Sequence, residues 1–211
     1  MSNKILARKI FAGIVTLIVS TMLVLLARNY NFIPERLPPE YRIKGNLESE
    51  IKIEEFTDFS CSACAHSNGL VENLLKVYKG RIVLKFKHCP LSSIHRWSFK
   101  AAAAAECAGE QGKFFEYGNL LFENAPKWME SEESPEKMFL DFANKLNLDK
   151  KKFQKCMKSE KPLINVFSDR SEARMRSVNA TPTFFVNGKR AVGALQLLNE
   201  LKKFEKGKNE K

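Results

Sequence analysis

The sequence predicts an α/β domain in which a block of helices separates a βαβ unit from a ββα unit, preceded by one N-terminal transmembrane helix. Three observations carry this. Residues 51–78 read as a strand, a turn with two cysteines and a helix. Residues from about 92 to 160 hold helical patterns and no strand-like run. Near the end, Asn187-Gly188 sits between two strand-like runs, a strong hairpin signal.

The elements follow in order. The chain has 211 residues, room for one substantial domain plus extras. Residues 10–27 are uncharged and almost wholly apolar, just long enough to span a bilayer. Lys4, Arg8 and Lys9 precede them, which puts the N-terminus in the cytoplasm and exports the rest. A cleaved signal would end in small residues; here Ala27 is followed by Arg28 and Asn29, so an uncleaved anchor is expected. The chain therefore divides into a basic segment 1–9, an anchor 10–27, a linker 28–48, a domain 49–205 and a basic tail 206–211. Pro34, Pro38 and Pro39 mark the linker as an extended spacer.

In the strand, alternation puts Ile51, Ile53, Glu55 and Thr57 on one face. The next helix carries Leu70, Val71, Leu74, Leu75 and Tyr78 as its core stripe, and Gly80 stops it. Residues 81–87 form a second strand, which the intervening helix makes parallel to the first, and His88-Cys89-Pro90-Leu91 leaves the sheet. Residues 94–108, with five consecutive alanines, and 113–124 read as helices. Ser134 is expected to cap a helix with Pro135 at its first position, and Asp149 to cap a short one through Phe153, Cys156 and Met157. A helix over 162–177, strands 183–186 and 189–192 and a helix from Leu195 to Phe204 complete the domain.

The chemistry gathers at Cys61-Ser62-Ala63-Cys64. The first turn of a helix has unpaired N–H groups and partial positive charge, which favours a thiolate there. A second cysteine three residues on can close a small disulfide ring with it, so this spacing after a strand reads as a redox dithiol. A zinc site would need a second ligand pair, and none is spaced for it. The formal net charge of +11 is spread along the chain without a basic motif, which argues against nucleic acid. Glu55 shares a face with buried isoleucines, where a carboxyl gains a raised pKa and can accept a proton. Cys89 reads as a small buried hydrophobe, and His66 and His95 as ordinary polar helix residues.

Three stretches together resemble the DsbA-like thiol–disulfide oxidoreductase family of the thioredoxin superfamily, in its membrane-anchored branch. They are Glu55-Phe56-Thr57-Asp58-Phe59-Ser60-Cys61-Ser62-Ala63-Cys64, then Cys107-Ala108-Gly109-Glu110-Gln111-Gly112-Lys113-Phe114, then Asn179-Ala180-Thr181-Pro182-Thr183-Phe184-Phe185-Val186-Asn187-Gly188. The resemblance covers residues 45–205. It implies a thioredoxin fold with an inserted helical block. It implies a cis Pro182 facing the dithiol, with the Thr181 backbone open to a peptide client, and Glu55 beneath Cys64 as proton relay. Relatives that carry a cysteine pair in the inserted block imply a structural disulfide between Cys107 and Cys156.

The implied activity is the introduction of disulfides into exported proteins through Cys61 and Cys64, on the extracytoplasmic side of the inner membrane, without cofactor or metal. The implied partners are reduced or unfolded exported proteins and a quinone-linked membrane reoxidase of DsbB or VKOR type. Strongly oxidising members place a histidine before the second cysteine; Ala63 stands there, so a weaker oxidant is expected. The same fold run as a reductase or isomerase, or a metal-binding or chaperone module, are the alternatives.

Overall fold

The computed structural model describes the backbone of residues 2–29 and 36–209, and the side chains of 8–23 and 36–207. It contains two units, Met1–Glu35 and Arg36–Lys211. In the first, helix α1 runs over Ser2–Asn29, and its described side chains are exposed. Among the described residues no helix is long and apolar enough to cross a membrane. The anchor expected at 10–27 extends into residues 24–27, whose side chains lie outside the described residues.

In the second unit a five-stranded sheet has the order β1-β3-β2-β4-β5. Its strands are β1 (Ile43–Lys44), β2 (Ile51–Thr57), β3 (Ile82–His88), β4 (Thr183–Val186) and β5 (Lys189–Val192). The βαβ unit forms as the pattern requires: β2 and β3 are parallel, from Ile51 opposite Ile82 to Thr57 opposite His88. Between them lies α2 (Ser62–Val77). Strand β4 pairs antiparallel with β2, and β5 with β4 across the Asn187-Gly188 turn, where both residues have positive φ. Helix α9 (Gly193–Asn209) returns over the sheet. Against it and α2 pack Ile51, Ile53, Leu84 and Phe184, fully or nearly buried.

The inserted block contains α3 (Ser98–Gly109), α4 (Phe114–Glu123), α5 (Ala125–Met129), α6 (Glu136–Lys145), α7 (Lys150–Met157) and α8 (Lys161–Met175). Alanines 101–105 are all buried, so α3 is enclosed on every side there, and small side chains among them pack against the aromatic core of Tyr117, Trp128, Phe139 and Phe153. The polar atoms of that core are satisfied: Trp128 Nε1 donates to the Leu121 carbonyl and the Tyr117 hydroxyl to that of Phe139, each at 2.8 Å. Cys107 and Cys156 join α3 to α7 in a disulfide with Cα atoms 5.7 Å apart. Closing a loop of 49 residues stabilises by about 4 kcal/mol in the chain-entropy model.

Several local expectations are corrected. The second half of the 28–48 spacer belongs to the domain: Glu40–Arg42 form a 3₁₀ turn and β1 follows. The physical reason is Arg42, wholly buried and paired with Asp169 and, at 3.2 Å, with Glu106. Gly45 then turns at φ +95°, where a Cβ would sit 2.3 Å from the Ile82 carbonyl oxygen. His88 stays in β3 instead of leaving it. Helix α3 starts at Ser98, so residues 94–97 are a turn. Ser134 does not cap α6; its hydroxyl bonds the Glu136 carboxylate, and Lys100 donates to both. Pro135 takes the cap position without a side-chain bond. Asp149 does cap α7, accepting from the Lys152 amide at 3.0 Å.

The sheet face opposite α2 is unexpectedly ionic. Arg176 forms a two-pronged pair with Glu54, at 2.6 and 3.1 Å, and reaches Glu172 at 3.1 Å. Glu172 also takes Lys87 at 2.8 Å. Breaking a buried pair leaves an uncompensated charge, so Arg42→Leu should destabilise by about 3–5 kcal/mol. Urea unfolding measures this, and a midpoint shift of under about 1 kcal/mol would show that Asp169 and Glu106 do not need Arg42.

Candidate active site

The site is built at the C-terminal end of β2. The chain leaves the sheet at Thr57, turns through Asp58-Phe59-Ser60, and starts α2 with Cys61 as N-cap. Asp58 shapes that turn: its carbonyl accepts from the Cys61 amide at 3.0 Å and its Oδ1 from the Ser60 amide at 2.9 Å. Oδ2 accepts from the Leu91 amide at 2.9 Å and contacts His95 Nδ1 at 2.7 Å. One buried carboxylate thus ties the dithiol turn to the loop that leaves β3.

The two cysteines, both free thiols here, occupy unlike environments. Cys61 is half-buried, and its Sγ accepts from the Cys64 amide at 3.4 Å, the cap bond a helix N-terminus offers. Cys64 is fully buried. The Cys64 thiol donates to Cys61 and is the main reason that the Cys61 pKa is pushed down to about 6, with Thr181 and the Ala63 and Cys64 amides adding to it against the opposing effect of burial. Burial, and then the Cys61 sulfur itself, push Cys64 far above the ordinary thiol range. At neutral pH the reduced pair therefore carries its negative charge on Cys61.

The loop before β4 closes the site. The Thr181–Pro182 peptide is cis. The Thr181 carbonyl lies 3.4 Å from Cys61 Sγ, within reach of the thiol as donor. Glu55 is buried on the α2 side of β2, opposite Phe86 and Phe184 in the ladder. Burial raises its pKa to about 8, the Thr57 side chain opposes that and the nearby Glu72 charge adds to it. Thr57 likewise tempers the shift of Cys64, so it lies beside both groups. Cys89 sits apart, packed with Phe56, Ala173 and Phe185, its pKa pushed up to about 11 by burial. The neutral thiol is placed as a core residue. His66 is exposed on α2.

Next to Cys61 opens a cavity of about 770 Å³ whose walls include Leu91, Ile94, Phe122 and Met129, with Thr181 and His95 as polar members. The lining is mainly apolar, with few polar groups beside the sulfur. Among the described residues no group of three or more metal-ligating side chains occurs. Sequence reasoning missed Asp58 and His95 as site residues, and took His95 for a helix residue when it lies in the turn before α3. The available signal was Asp58 two residues before Ser60, the spacing of a side-chain-bonded turn.

The cause assigned to the low Cys61 pKa is testable. Cys64→Ala removes the largest contribution, so the thiolate midpoint of Cys61 should rise from about 6 toward the ordinary thiol value of about 8.5. Ultraviolet thiolate absorbance against pH measures it, and an unchanged midpoint would assign the shift to the helix N-terminus alone.

Comparison with known proteins agrees with this fold. A family model described as Thioredoxin (Thioredoxin_4) matches residues 39–204. The crystal structure of Wolbachia pipientis alpha-DsbA1 superposes with a TM-score of 0.71 at 21% identity, covering 83% of this chain and 94% of that one. Oxidised BdbD from Bacillus subtilis gives 0.67 at 21% identity, covering 81% and 93%. At that identity both likenesses speak for the fold. Among curated proteins, a Na(+)/H(+) antiporter NhaA 1 of Salinispora arenicola is 32% identical over 160 residues, 76% of this chain and 24% of that protein. The chain thus spans about a quarter of the length of the curated relatives it matches. The match of the family model over most of the chain shows that the chain belongs to the thioredoxin family, and its fold is the one seen in the alpha-DsbA1 and BdbD structures.

Proposed function

We propose that this chain is a protein thiol–disulfide oxidoreductase working as an oxidase, tethered to the inner membrane with its domain on the extracytoplasmic side. The observation that carries the reading is the asymmetry of the dithiol. Cys61, half-open beside the apolar trough, is a stabilised thiolate, while Cys64 is buried and held protonated. Stabilising the reduced form makes the disulfide the better oxidant.

In the oxidised enzyme a client thiolate attacks Cys61, the accessible sulfur. The Cys61–Cys64 bond breaks, and Cys64 leaves with the electron pair and takes a proton. Neutral Glu55 on the same side of β2 is the buried acid available to that thiolate. A second client thiolate then attacks the client sulfur of the mixed disulfide. Cys61 leaves as a thiolate, which its depressed pKa favours. Thr181 borders the trough and holds the client backbone beside Cys61. The clients are reduced exported proteins, and a quinone-linked membrane protein of DsbB or VKOR type restores the disulfide. Redox titration against glutathione tests the direction. An oxidase should give a potential well above the roughly −270 mV of thioredoxin and, lacking a histidine before Cys64, below the roughly −120 mV of the strongest oxidant; a value at or below about −270 mV would make the chain a reductase.

The membrane tether is supported by the apolar residues 10–27 behind a basic flank. Within α1 the hydroxyls of Thr16, Ser20 and Thr21 donate to carbonyls one turn back, at 2.9 to 3.0 Å. Hydroxyls satisfied inside their own helix suit a lipid environment. Fractionation of cells producing the full chain should find it in the membrane, resistant to salt and released by detergent. Recovery of a soluble, shortened form would replace the tether with a cleaved signal.

A further inference from the structure

Resting on the oxidase reading above and deepening it, we propose that His95 is the general base that ionises the client thiol at the Cys61 trough. Three observations carry it. First, the imidazole is held in one orientation: Nδ1 lies 2.7 Å from Oδ2 of Asp58, which is itself buried. Both Asp58 oxygens already accept from backbone amides, Oδ1 from Ser60 and Oδ2 from Leu91, so the proton of the His95 contact sits on Nδ1. That fixes the tautomer and leaves Nε2 as the acceptor.

Second, His95 lines the same cavity as Cys61, Ser62 and Thr181, so a base and the sulfur to be attacked border one space. No described residue occupies its Nε2, and the side chain is 18% exposed, open to an incoming thiol. Third, among the described residues of this lining the only other carboxylate or imidazole, Glu130, is exposed and has no described partner to aim it. A nucleophile's proton acceptor, itself oriented by a buried carboxylate, is the arrangement that activates weak nucleophiles in general. Here it serves the thiol that arrives, because Cys61 ionises without help.

The step balances. The client S–H proton passes to Nε2, and the client sulfur forms a bond to Cys61 Sγ. The Cys61–Cys64 bond breaks, and Cys64 departs with the electron pair and is protonated by Glu55. His95 returns its proton to water, Glu55 is reprotonated from water, and His95 repeats the service for the second client thiol. Two client thiols are oxidised to one disulfide, and the enzyme disulfide is reduced to the Cys64 thiol and the Cys61 thiolate, with one proton released to water.

The test is single-turnover reduction of the full chain, oxidised at Cys61–Cys64, by two probes near neutral pH. One is a peptide with two cysteines; the other is an aromatic thiol that is already ionised. An ordinary thiol with a pKa of about 8.5 is only about 3% ionised there, so a base can recover at most about thirtyfold. His95→Gln, which keeps a donor for Asp58, should slow the peptide reaction roughly tenfold and leave the aromatic thiol within about twofold. His66→Gln, exposed on α2 and outside the trough lining, should change neither. Equal slowing of both probes by His95→Gln would make His95 a groove contact and overturn the proposal, as would no slowing of either. If the wild type reacts with neither probe, the oxidase reading fails, and the base with it. If it reacts with both while His95→Gln does not discriminate, only the base fails.

Discussion

The site depends on what happens to the Asp58 side chain at the end of β2. A strand that ends beside a parallel partner leaves unpaired amides in the loops beyond it, and these must find acceptors when buried. Asp58 supplies three at once: its carbonyl for Cys61 and its two carboxylate oxygens for Ser60 and Leu91. This sets the angle at which α2 starts, and with it the direction in which Cys61 Sγ points. It also holds the Leu91–His95 turn against the dithiol, forming one wall of the trough. Dithiol geometry and the adjoining trough thus both depend on a single aspartate.

Behind the sheet a second constraint joins three distant parts of the chain. Arg42 comes from the N-terminal turn, Asp169 from α8 and Glu106 from α3. His88, at the end of β3, touches the same acids: its amide donates to Asp169 at 2.9 Å and its Nε2 lies 3.0 Å from Glu106. Tyr41 donates to Glu106 at 2.9 Å, and a Cβ on Gly109 would come within 2.4 Å of its ring. Buried charges add little net stability over apolar packing, but they tolerate few alternatives in partner or position. The network therefore fixes how the inserted helices sit on the sheet that carries the cysteines.

What could be read from the sequence was local in origin. The dithiol, the Asn187-Gly188 hairpin and the burial of Glu55 each follow from residues within a few positions of one another, where helix or strand periodicity decides the outcome. The proline-containing segment before β1 looked like a spacer because its prolines stand among mixed charges; its place in the domain rests on Arg42 and on acids 64 and 127 positions away. His95 looked like a helix residue because the alanine run that follows is so strongly helical. Its position is set instead by Asp58, 37 residues earlier. Lys87 and Glu54 gave no sign of burial, since their charged partners lie on α8 and the turn after it. Contacts of this range leave no periodic trace.

The inequality of the two sulfurs has an electrical consequence for the working cycle. With the disulfide closed, the mouth of the trough carries no charge from the dithiol. Once two electrons have been accepted, one full negative charge appears there on Cys61, while the proton taken by Cys64 keeps the interior neutral. The molecule therefore displays its redox state on its surface as a change of electrostatic potential, localised within a Debye length of the opening. On the oxidase reading proposed above, an apolar reduced polypeptide meets a neutral doorway only while the disulfide is closed. On the same reading, positive charge on a reoxidising partner is attracted to the doorway only once Cys61 carries its thiolate.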